Sequence, residues 1–388
     1  MARRSRAVFR FLVPLFVFIC AAMVAEALLR VVAPPWLTLR MHEVRAGRSL
    51  ADFGDDAGWP VTLAGGRPFG FQAGARFRVR ADEYSHEART DEFGGRVVGQ
   101  SRAVGLPIVP VLGDSFTFGI GVNDGETFVS LISAAMPARL INLGFPGTAL
   151  PHQLDIFNGR HVELGEPSVC VFVFFLGNDF ADIVSAAGVA LPASANPTGL
   201  MPTLRLVNRW LDQRRRLSGL YLVQWIRALA IRVFSSRHRA QSVDPLFLLM
   251  SQNPETLAEI RPALRSAVDR LARVARERGF TPLVIVIPDR HQVDATLRAE
   301  WARYYGYAPA ALDPEVPNGL ISSELRRIGV ASIDATPCLR DVSGAYYVRD
   351  NHLTATGHRA VAACLEGPVR SWLTSALARV RGTQVHGG

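Results

Sequence analysis

The sequence predicts an α/β fold in which a parallel five-stranded sheet is covered by helices on both faces. Within residues 106–180, apolar strand-like runs alternate with helix-like segments, and this order is typical of a three-layer α/β/α arrangement. The run from Val169 to Leu176 is apolar without interruption, as expected for a strand buried on both faces. Three strands are predicted in residues 106–180 and two more after residue 250.

The composition is that of a globular protein, since 49% of the residues are apolar and 20% are charged. At 388 residues the chain is long enough for one large domain or two. All 43 basic residues are Arg, and the net charge of +9 is concentrated, because residues 201–240 hold nine Arg and one Asp. This excess lies in one segment without a nucleic-acid-binding motif, so we predict no nucleic-acid partner.

Residues 1–30 have the pattern of a membrane anchor. Four arginines precede an apolar stretch from Phe11 to Leu29, in which Glu26 is the only charged residue. About 19 residues at ~1.5 Å each are enough to cross the hydrocarbon core of a bilayer. The positive-inside rule then places the N-terminus in the cytoplasm and the catalytic part in the periplasm or outside the cell. A cleaved signal peptide is the alternative, because Ala25-Glu26-Ala27 resembles a cleavage site.

Residues 31–105 are predicted to form a lead-in rather than a site. Pro34-Pro35 and Gly54-Asp55-Asp56 interrupt any long element. Residues 61–105 alternate weakly, which indicates a few short strands packed against the catalytic domain, and we expect no chemical role for them. The catalytic domain is predicted to span residues 106–388, with a helical insert at about 181–250.

The first strand of this domain is predicted at Ile108–Leu112, although it contains a proline. Pro110, and Pro107 before it, conflict with a central strand, which needs its backbone N–H groups for pairing. We therefore expect the strand to be short or to bulge at Pro110.

The second half of the domain continues the alternation of helices and strands. Residues 254–279 have apolar residues at intervals of three and four, which predicts a helix with one buried face. Strands are predicted at Thr281–Ile287 and Val330–Ile333. The other predicted helices cover residues 293–305, 320–328 and 356–380.

The insert is predicted to contain helices at Leu204–Leu211 and Leu217–Phe234. A second transmembrane span there is disfavoured, because Arg227, Arg232 and Gln224 would be costly in lipid. A pair of amphipathic helices with basic faces fits better. They could form a solvated cap, or a lid or groove that contacts membrane headgroups or an acidic glycan.

Four short motifs follow one another in an order that indicates a serine hydrolase. Gly113-Asp114-Ser115 lies between a strand and a helix, a layout that exposes a nucleophile at the carboxyl end of a sheet. Each of the next two motifs also follows an apolar run, and the last lies in a C-terminal loop. These three are Asn142-Leu-Gly144-Phe-Pro-Gly147, Leu176-Gly177-Asn178-Asp179 and Asp350-Asn351-His352.

This series of Ser, Gly, Asn and Asp/His blocks resembles the GDSL/SGNH hydrolase superfamily, over about residues 106–180 and 345–365. The resemblance implies a flavodoxin-like, three-layer SGNH hydrolase fold and acyl-ester chemistry. Two departures are visible: Asp and His are spaced D-x-H rather than D-x-x-H, and Leu176 replaces the first Gly of the G-x-N-D block.

Ser115 is the candidate nucleophile, His352 the base and Asp350 the group that orients the imidazole. In an extended segment, residues i and i+2 point to the same face, so Asp350 can reach His352. His358 is a rival base, but it falls in the predicted C-terminal helix, and we interpret it as structural.

By resemblance, the oxyanion hole consists of the backbone N–H groups of Ser115 and Gly147 and the side-chain amide of Asn178. Gly144 is the alternative to Gly147. One such donor is typically worth ~3 kcal/mol. Asp114 and Asp179 are expected to hold loops through hydrogen bonds. The chemistry requires no metal and no cofactor.

The sequence does not decide whether Cys338 and Cys364 form a disulfide. Cys338 and Cys364 could pair in an oxidising compartment, and a free buried thiol is an equal alternative for each.

The sequence thus predicts an exported serine esterase or O-acyltransferase that acts through an acyl-Ser intermediate. Its substrates are expected to be acyl esters, with acetyl as the acyl group, of cell-envelope or exported polysaccharide. A lipid esterase or lysophospholipase is one alternative, with residues 217–234 as a lipid-facing lid. A non-catalytic glycan-binding or assembly protein on the same fold is the other.

Overall fold

A five-stranded parallel sheet forms the centre of the computed structural model, as predicted, and two small antiparallel hairpins precede it. The strands in chain order are β1 (Thr62–Leu63), β2 (Arg67–Pro68), β3 (Arg76–Arg80), β4 (Ser85–Arg89), β5 (Ile108–Gly113), β6 (Arg139–Gly144), β7 (Val169–Phe175), β8 (Thr281–Ile287) and β9 (Ala331–Asp334).

The structure describes most of the catalytic domain and part of what precedes it. The described residues are 2–32, 62–63, 67–68, 70–81, 83–99, 105–188, 220–223, 225–226, 244–348 and 350–385. The predicted helix Leu204–Leu211 lies outside them, as does most of Leu217–Phe234.

The strand order of the large sheet is β6-β5-β7-β8-β9, and all neighbours are parallel. This is the flavodoxin-like order, in which the chain first builds outward from β5 to β6 and then reverses to β7. Such a reversal leaves a crevice at the carboxyl ends of β5 and β7, where ligands bind in open α/β sheets.

Pro110 lies inside β5 without ending it. The strand pairs with β6 along its whole length, including Pro110 with Ile141. Its pairing with β7 is restricted to Val111 and Leu112, which follow the proline. The missing N–H of Pro110 is therefore compatible with the full pairing of β5 with β6, and the pairing with β7 is short. A proline can thus lie in this central strand.

The helices in chain order alternate with these strands. They are α1 (Ala2–Val32), α2 (Ser115–Phe118), α3 (Phe128–Ser133), α4 (Leu150–Arg160), α5 (Asp179–Ala186), α6 (Pro245–Met250), α7 (Pro254–Arg278), α8 (Arg290–Val293), α9 (Ala295–Tyr305), α10 (Val316–Arg327), α11 (Thr336–Leu339) and α12 (Ala355–Val385).

Helices cover both faces of the sheet and create two apolar cores. Along β7, Phe172 and Phe174 belong to one buried cluster, which α4, α5, α7 and α10 complete. Val171 and Val173 belong to the other, which α3 and α12 complete. Complete burial of one such side chain contributes about 1.5–3 kcal/mol, so these two clusters hold the three layers together.

A disulfide joins Cys338 in α11 to Cys364 in α12, across 26 residues of chain. The Cα atoms are 5.7 Å apart, which is an ordinary separation for such a bond. Of the two pairing states that the sequence left open, the structure shows the bonded one. The bond joins the helix before the loop that carries Asp350 and His352 to the helix after it.

Within the described part of the chain, no helix combines the length and the apolarity that a bilayer crossing requires. The structure therefore does not support the transmembrane helix that was predicted within residues 1–30. Residues 2–30 lie in α1, which contains an ion pair between Glu26 and Arg30 at 2.8 Å.

Candidate active site

The proposed nucleophile stands at the turn between β5 and α2. Asp114 caps α2, because its Oδ1 accepts a hydrogen bond from the Phe116 N–H at 2.9 Å. Ser115 is the first residue of the helix and is partly exposed. The end of β6 lies close behind this turn, since a Cβ on Gly144 would be 2.3 Å from the Phe118 backbone nitrogen. Only glycine fits at that position, and this close contact holds the turn in place.

An unbroken hydrogen-bonded chain connects Ser115 to the C-terminal loop. His352 Nε2 lies 2.8 Å from Ser115 Oγ, and His352 Nδ1 lies 2.5 Å from Asp350 Oδ1. Asp350 and His352 are both buried. The D-x-H spacing therefore places the Asp350 carboxylate against the His352 imidazole, and the fold places that imidazole against the Ser115 hydroxyl. This is the geometry of a Ser-His-Asp triad.

Asp350 is held as a carboxylate by several donors. Burial acts to raise its pKa, but the charge and hydrogen bonds of His352 and a hydrogen bond from Tyr84 together lower it below its ordinary value. The Tyr84 hydroxyl donates to Asp350 Oδ2 at 2.6 Å. Burial, together with the nearby Asp350 charge, raises the pKa of Tyr84, so the phenol stays protonated and remains a donor.

The lead-in segment reaches the site, which the sequence did not predict. Besides Tyr84, the Glu83 carboxylate accepts hydrogen bonds from the backbone N–H groups of Val348 and Asp350, both at 2.9 Å. The prediction that residues 61–105 have no chemical role is therefore wrong at these two positions. No local pattern could have shown it, because Tyr84 and Asp350 are 266 residues apart.

Arg96, from the same segment, fixes the loop that follows the nucleophile. Its fully buried guanidinium donates to the carbonyls of Phe118, Gly119 and Val122 at 2.9, 2.5 and 2.5 Å, and pairs with Asp124. Burial lowers the pKa of Arg96 to about 10, which still leaves it charged at neutral pH. The charge is compensated by one carboxylate and several carbonyl dipoles, so the lead-in segment and the nucleophile turn form one unit.

The three predicted oxyanion donors lie at the carboxyl edge of the sheet. Gly147 is exposed, its φ is +75°, and the space where a Cβ would stand is open. The Gly144 N–H is engaged by Asn142 Oδ1 at 3.0 Å, which favours Gly147 over this alternative. The Asn178 amide donates one N–H to Asp182 at 2.7 Å and keeps a second.

Two buried carboxyl groups support this edge. Asp114 caps α2, and Asp179 Oδ2 accepts from the Phe175 N–H at 3.1 Å. Burial is the main cause that raises the pKa of Asp114 to about 6. Burial and the charge of Asp114 raise the pKa of Asp179 well above its ordinary value. Both residues hold backbone in place, and neither contacts the Ser115 hydroxyl in a described hydrogen bond.

His358 lies away from the nucleophile. It is fully buried, its ring stacks on Phe128, and its Nδ1 accepts from the Phe128 N–H at 3.1 Å. Burial, followed by the positive charge of Arg96, lowers its pKa to about 3. The residue is neutral at physiological pH and holds α12 against α3.

The residues that the structure describes contain no group of three or more His, Cys, Asp or Glu side chains that could hold a metal ion.

No family model and no curated protein matches this sequence, but solved structures with a similar fold exist. They include TesA, with 14% identity, a TM-score of 0.36, and 66% of this chain and 94% of that one covered. A lipolytic protein of the G-D-S-L family from Veillonella parvula shows 13% identity, a TM-score of 0.36 and the same coverage. A catalytic mutant of Axe2, an acetylxylan esterase from Geobacillus stearothermophilus, shows 10% identity and a TM-score of 0.33, with 69% and 94% covered.

The G-D-S-L family, to which one of these structures belongs, is the family whose motifs the four sequence blocks resemble. At identities of 10–14% and TM-scores of 0.33–0.36, these similarities decide neither the activity nor the substrate of this chain.

Proposed function

We propose that this protein is a serine esterase or O-acyltransferase of the SGNH type. The observation that carries the proposal is the continuous hydrogen-bonded chain from Asp350 through His352 to the Ser115 hydroxyl. A hydroxyl with an imidazole at 2.8 Å, itself oriented by a buried carboxylate, is the arrangement that activates serine for attack on an acyl group.

The reaction begins when Ser115 Oγ attacks the ester carbonyl carbon and its proton moves to His352 Nε2. The N–H groups of Ser115 and Gly147 and the Asn178 amide stabilise the oxyanion of the tetrahedral intermediate. The carbon–oxygen bond to the leaving alcohol then breaks, and His352 returns the proton to that alcohol. The product is an acyl-Ser115 ester.

The second half of the reaction repeats these steps with a new nucleophile. Water as the acceptor gives a carboxylic acid, and a sugar hydroxyl gives a new ester. In either case His352 takes the acceptor proton and returns it to Ser115 Oγ as the acyl bond breaks. Asp350 stays ionised throughout because of its donors, so it stabilises the imidazolium in both halves.

We place the protein outside the cytoplasm. The Cys338–Cys364 disulfide supports this location, since such bonds persist in oxidising compartments. Esters of cell-envelope or exported polysaccharide, with acetyl as the acyl group, are the substrates that match this location.

The test is hydrolysis of p-nitrophenyl esters by the full chain in detergent, beside the variant Ser115→Ala. Ser323→Ala, on α10, is the matched control. We expect Ser115→Ala to abolish turnover and Ser323→Ala to keep it, with acetyl esters preferred over long-chain esters. Equal turnover by the wild type and Ser115→Ala would contradict the proposal and favour a non-catalytic glycan-binding protein. Preference for long acyl chains would favour a lipid esterase.

A further inference from the structure

A second Asp-x-His pair lies at the same edge of the sheet. Asp289 and His291 follow β8, next to the end of β7 where Asn178 stands. His291 Nδ1 lies 2.6 Å from Asp289 Oδ1, and the His291 backbone N–H donates to the same oxygen at 2.8 Å. Asp289 is buried, and His291 is held edge-on between the rings of Phe247 and Trp301, at centroid distances of 5.3 and 5.8 Å.

This second pair is linked directly to the catalytic loop. The side-chain amide of Asn351, which lies between Asp350 and His352, donates to Asp289 Oδ2. Arg290 donates to the carbonyls of Tyr347 and Val348 at 3.1 and 2.9 Å. The guanidinium is thus directed toward backbone oxygens of the catalytic loop.

A cavity of about 230 Å³ brings the second pair and the oxyanion edge together. Asn178, Asp289, His291, Trp301 and Asn351 are among the residues that line it. The cavity shares Asn178, a proposed oxyanion donor, with the candidate active site. Its volume is below the ~300–1,000 Å³ of pockets for drug-sized ligands, and it therefore suits one small polar unit rather than a fatty chain.

The His291 side chain offers this cavity a hydrogen-bonding nitrogen. Asp289 Oδ1 accepts a hydrogen bond from Nδ1 of His291, and in this tautomer Nε2 is an acceptor. The amide oxygens of Asn178 and Asn351 are buried, and each amide nitrogen donates to a carboxylate, so these two side chains are held in place. His291 Nε2 is therefore the acceptor that the cavity offers to a hydroxyl group of a ligand.

We infer that this cavity binds the acyl acceptor, that the acceptor is a carbohydrate, and that His291 positions one of its hydroxyl groups. The inference rests on the proposed function and specifies its second half. A neighbouring hydroxyl of the same sugar attacks the acyl carbon of acyl-Ser115. The bond from that carbon to the acceptor oxygen forms, and the bond to Ser115 Oγ breaks. The acceptor proton passes to His352 Nε2 and then to Ser115 Oγ, so His291 is a positioning residue and not the base.

The experiment compares transfer with hydrolysis in the full chain, using p-nitrophenyl acetate as the donor. Maltose, xylobiose and chitobiose serve as carbohydrate acceptors, and 1-hexanol as an apolar one. Acetylated acceptor and free acetate are quantified separately, which gives the ratio of transfer to hydrolysis. The variants are His291→Ala and His291→Gln, with Arg303→Gln on the exposed side of α9 as the matched control.

We expect at least one of the sugars to be acetylated by the wild type, and 1-hexanol to be a poorer acceptor than that sugar. His291→Ala should lower the ratio of transfer to hydrolysis about tenfold by raising the KM for the sugar. His291→Gln should recover part of that loss, since an amide can again accept the hydroxyl. Arg303→Gln should match the wild type in both products.

Three outcomes would overturn the inference, and they are separable from failure of the proposed function. Hydrolysis that depends on Ser115 without acetylation of any sugar would exclude a carbohydrate acceptor while leaving the esterase intact. Equal losses of transfer and hydrolysis in His291→Ala would show that the residue supports the loop only. Preference for 1-hexanol would show an apolar acceptor site. Turnover that is independent of Ser115 would instead contradict the proposed function itself.

Discussion

The two Asp-x-His pairs of this protein are locally alike and differ in what surrounds them. In both, the histidine Nδ1 and its backbone N–H share one carboxylate oxygen, at 2.5 and 3.0 Å for Asp350 and at 2.6 and 2.8 Å for Asp289. The His352 Nε2 meets Ser115 Oγ, whereas the His291 Nε2 has no hydrogen bond within the described residues. The Asp-x-His spacing alone therefore gives the hydrogen bond between carboxylate and imidazole. What distinguishes the two histidines is the tertiary contact that Nε2 makes.

The second oxygen of each carboxylate shows a further difference. Asp350 Oδ2 accepts from Tyr84, a phenol supplied by the lead-in segment. Asp289 Oδ2 accepts from Asn351, an amide supplied by the catalytic loop itself. The pair that we propose for acid–base chemistry is thus supported from outside the sheet domain, and the other pair contacts the loop that carries Asp350 and His352.

The largest expected effect separates the two imidazoles. His352→Ala should lower kcat/KM for p-nitrophenyl acetate by about 10⁴-fold or more, because the serine then has no base. His291→Ala should lower the same value less than tenfold, because that ring does not contact the serine. Steady-state kinetics on both purified variants measure this. Comparable losses in kcat/KM would mean that both histidines act on the nucleophile, which would contradict the different roles proposed for the two pairs.

Asn178 lies between the two pairs, and its substitution shows which of them it serves. Asn178→Ala should lower kcat by about 10²–10³-fold with little change in KM, as expected for a donor that acts on the oxyanion. Asp182→Asn, which keeps a hydrogen-bonding partner for Asn178, is the control and should lose far less. A rise in KM at constant kcat would place Asn178 in ground-state binding rather than in the oxyanion hole.

Tyr84→Phe tests the support that reaches Asp350 from outside. A hydrogen bond to a charged group contributes about 1.5–3 kcal/mol, so we expect a loss of roughly tenfold or somewhat more in kcat/KM. Without this donor the pKa of Asp350 rises, and the acid limb of the pH profile should move to higher pH.

Tyr347→Phe is the matched control for this change. Its hydroxyl donates to the Gly121 carbonyl at 2.7 Å, and its ring packs against Tyr84. It should leave the acid limb in place. A shift of the same size in both variants would show that aromatic packing, and not the hydrogen bond to Asp350, is responsible.

Asp114 is a buried carboxyl group that, unlike Asp350 and Asp289, has no hydrogen bond to a histidine among the described contacts. Its pKa is raised to about 6, mainly by burial, whereas the unfolded value is about 3.9. Between these values the folded protein binds more protons than the unfolded chain, so stability falls as pH rises from about 4 to about 6. Asp114→Asn removes the titrating group and with it this loss of stability. The change in unfolding free energy that the substitution causes should therefore be about 1–3 kcal/mol more favourable at pH 8 than at pH 4.

Urea unfolding at both pH values measures this difference, with the exposed Asp313→Asn as the control. The Asp313 variant shows how the same exchange on an exposed residue affects the unfolding free energy at each pH. If Asp114→Asn behaves in the same way, its carboxyl does not titrate with a raised pKa in the folded protein.

The sheet was largely predictable because it depends on local patterns. The predicted bounds of β8 match those of the structure, and the apolar run of β7 was recognised because both of its faces are buried. The intervals of three and four in residues 254–279 likewise predicted α7. Pro110 illustrates the limit of such patterns, since only the pairing of β5 with both neighbours shows which ladder tolerates a proline.

The sequence by itself determined the strands, the order of the four motifs and the two Asp-x-His spacings, since these depend on residues close together in the chain. Only the tertiary structure decided which histidine meets Ser115, that Cys338 bonds Cys364, and that Tyr84 and Glu83 hold the catalytic loop. The physical reason is distance along the chain. A hydrogen bond between residues 266 positions apart leaves no periodic trace in the sequence, and only folding brings its two partners together.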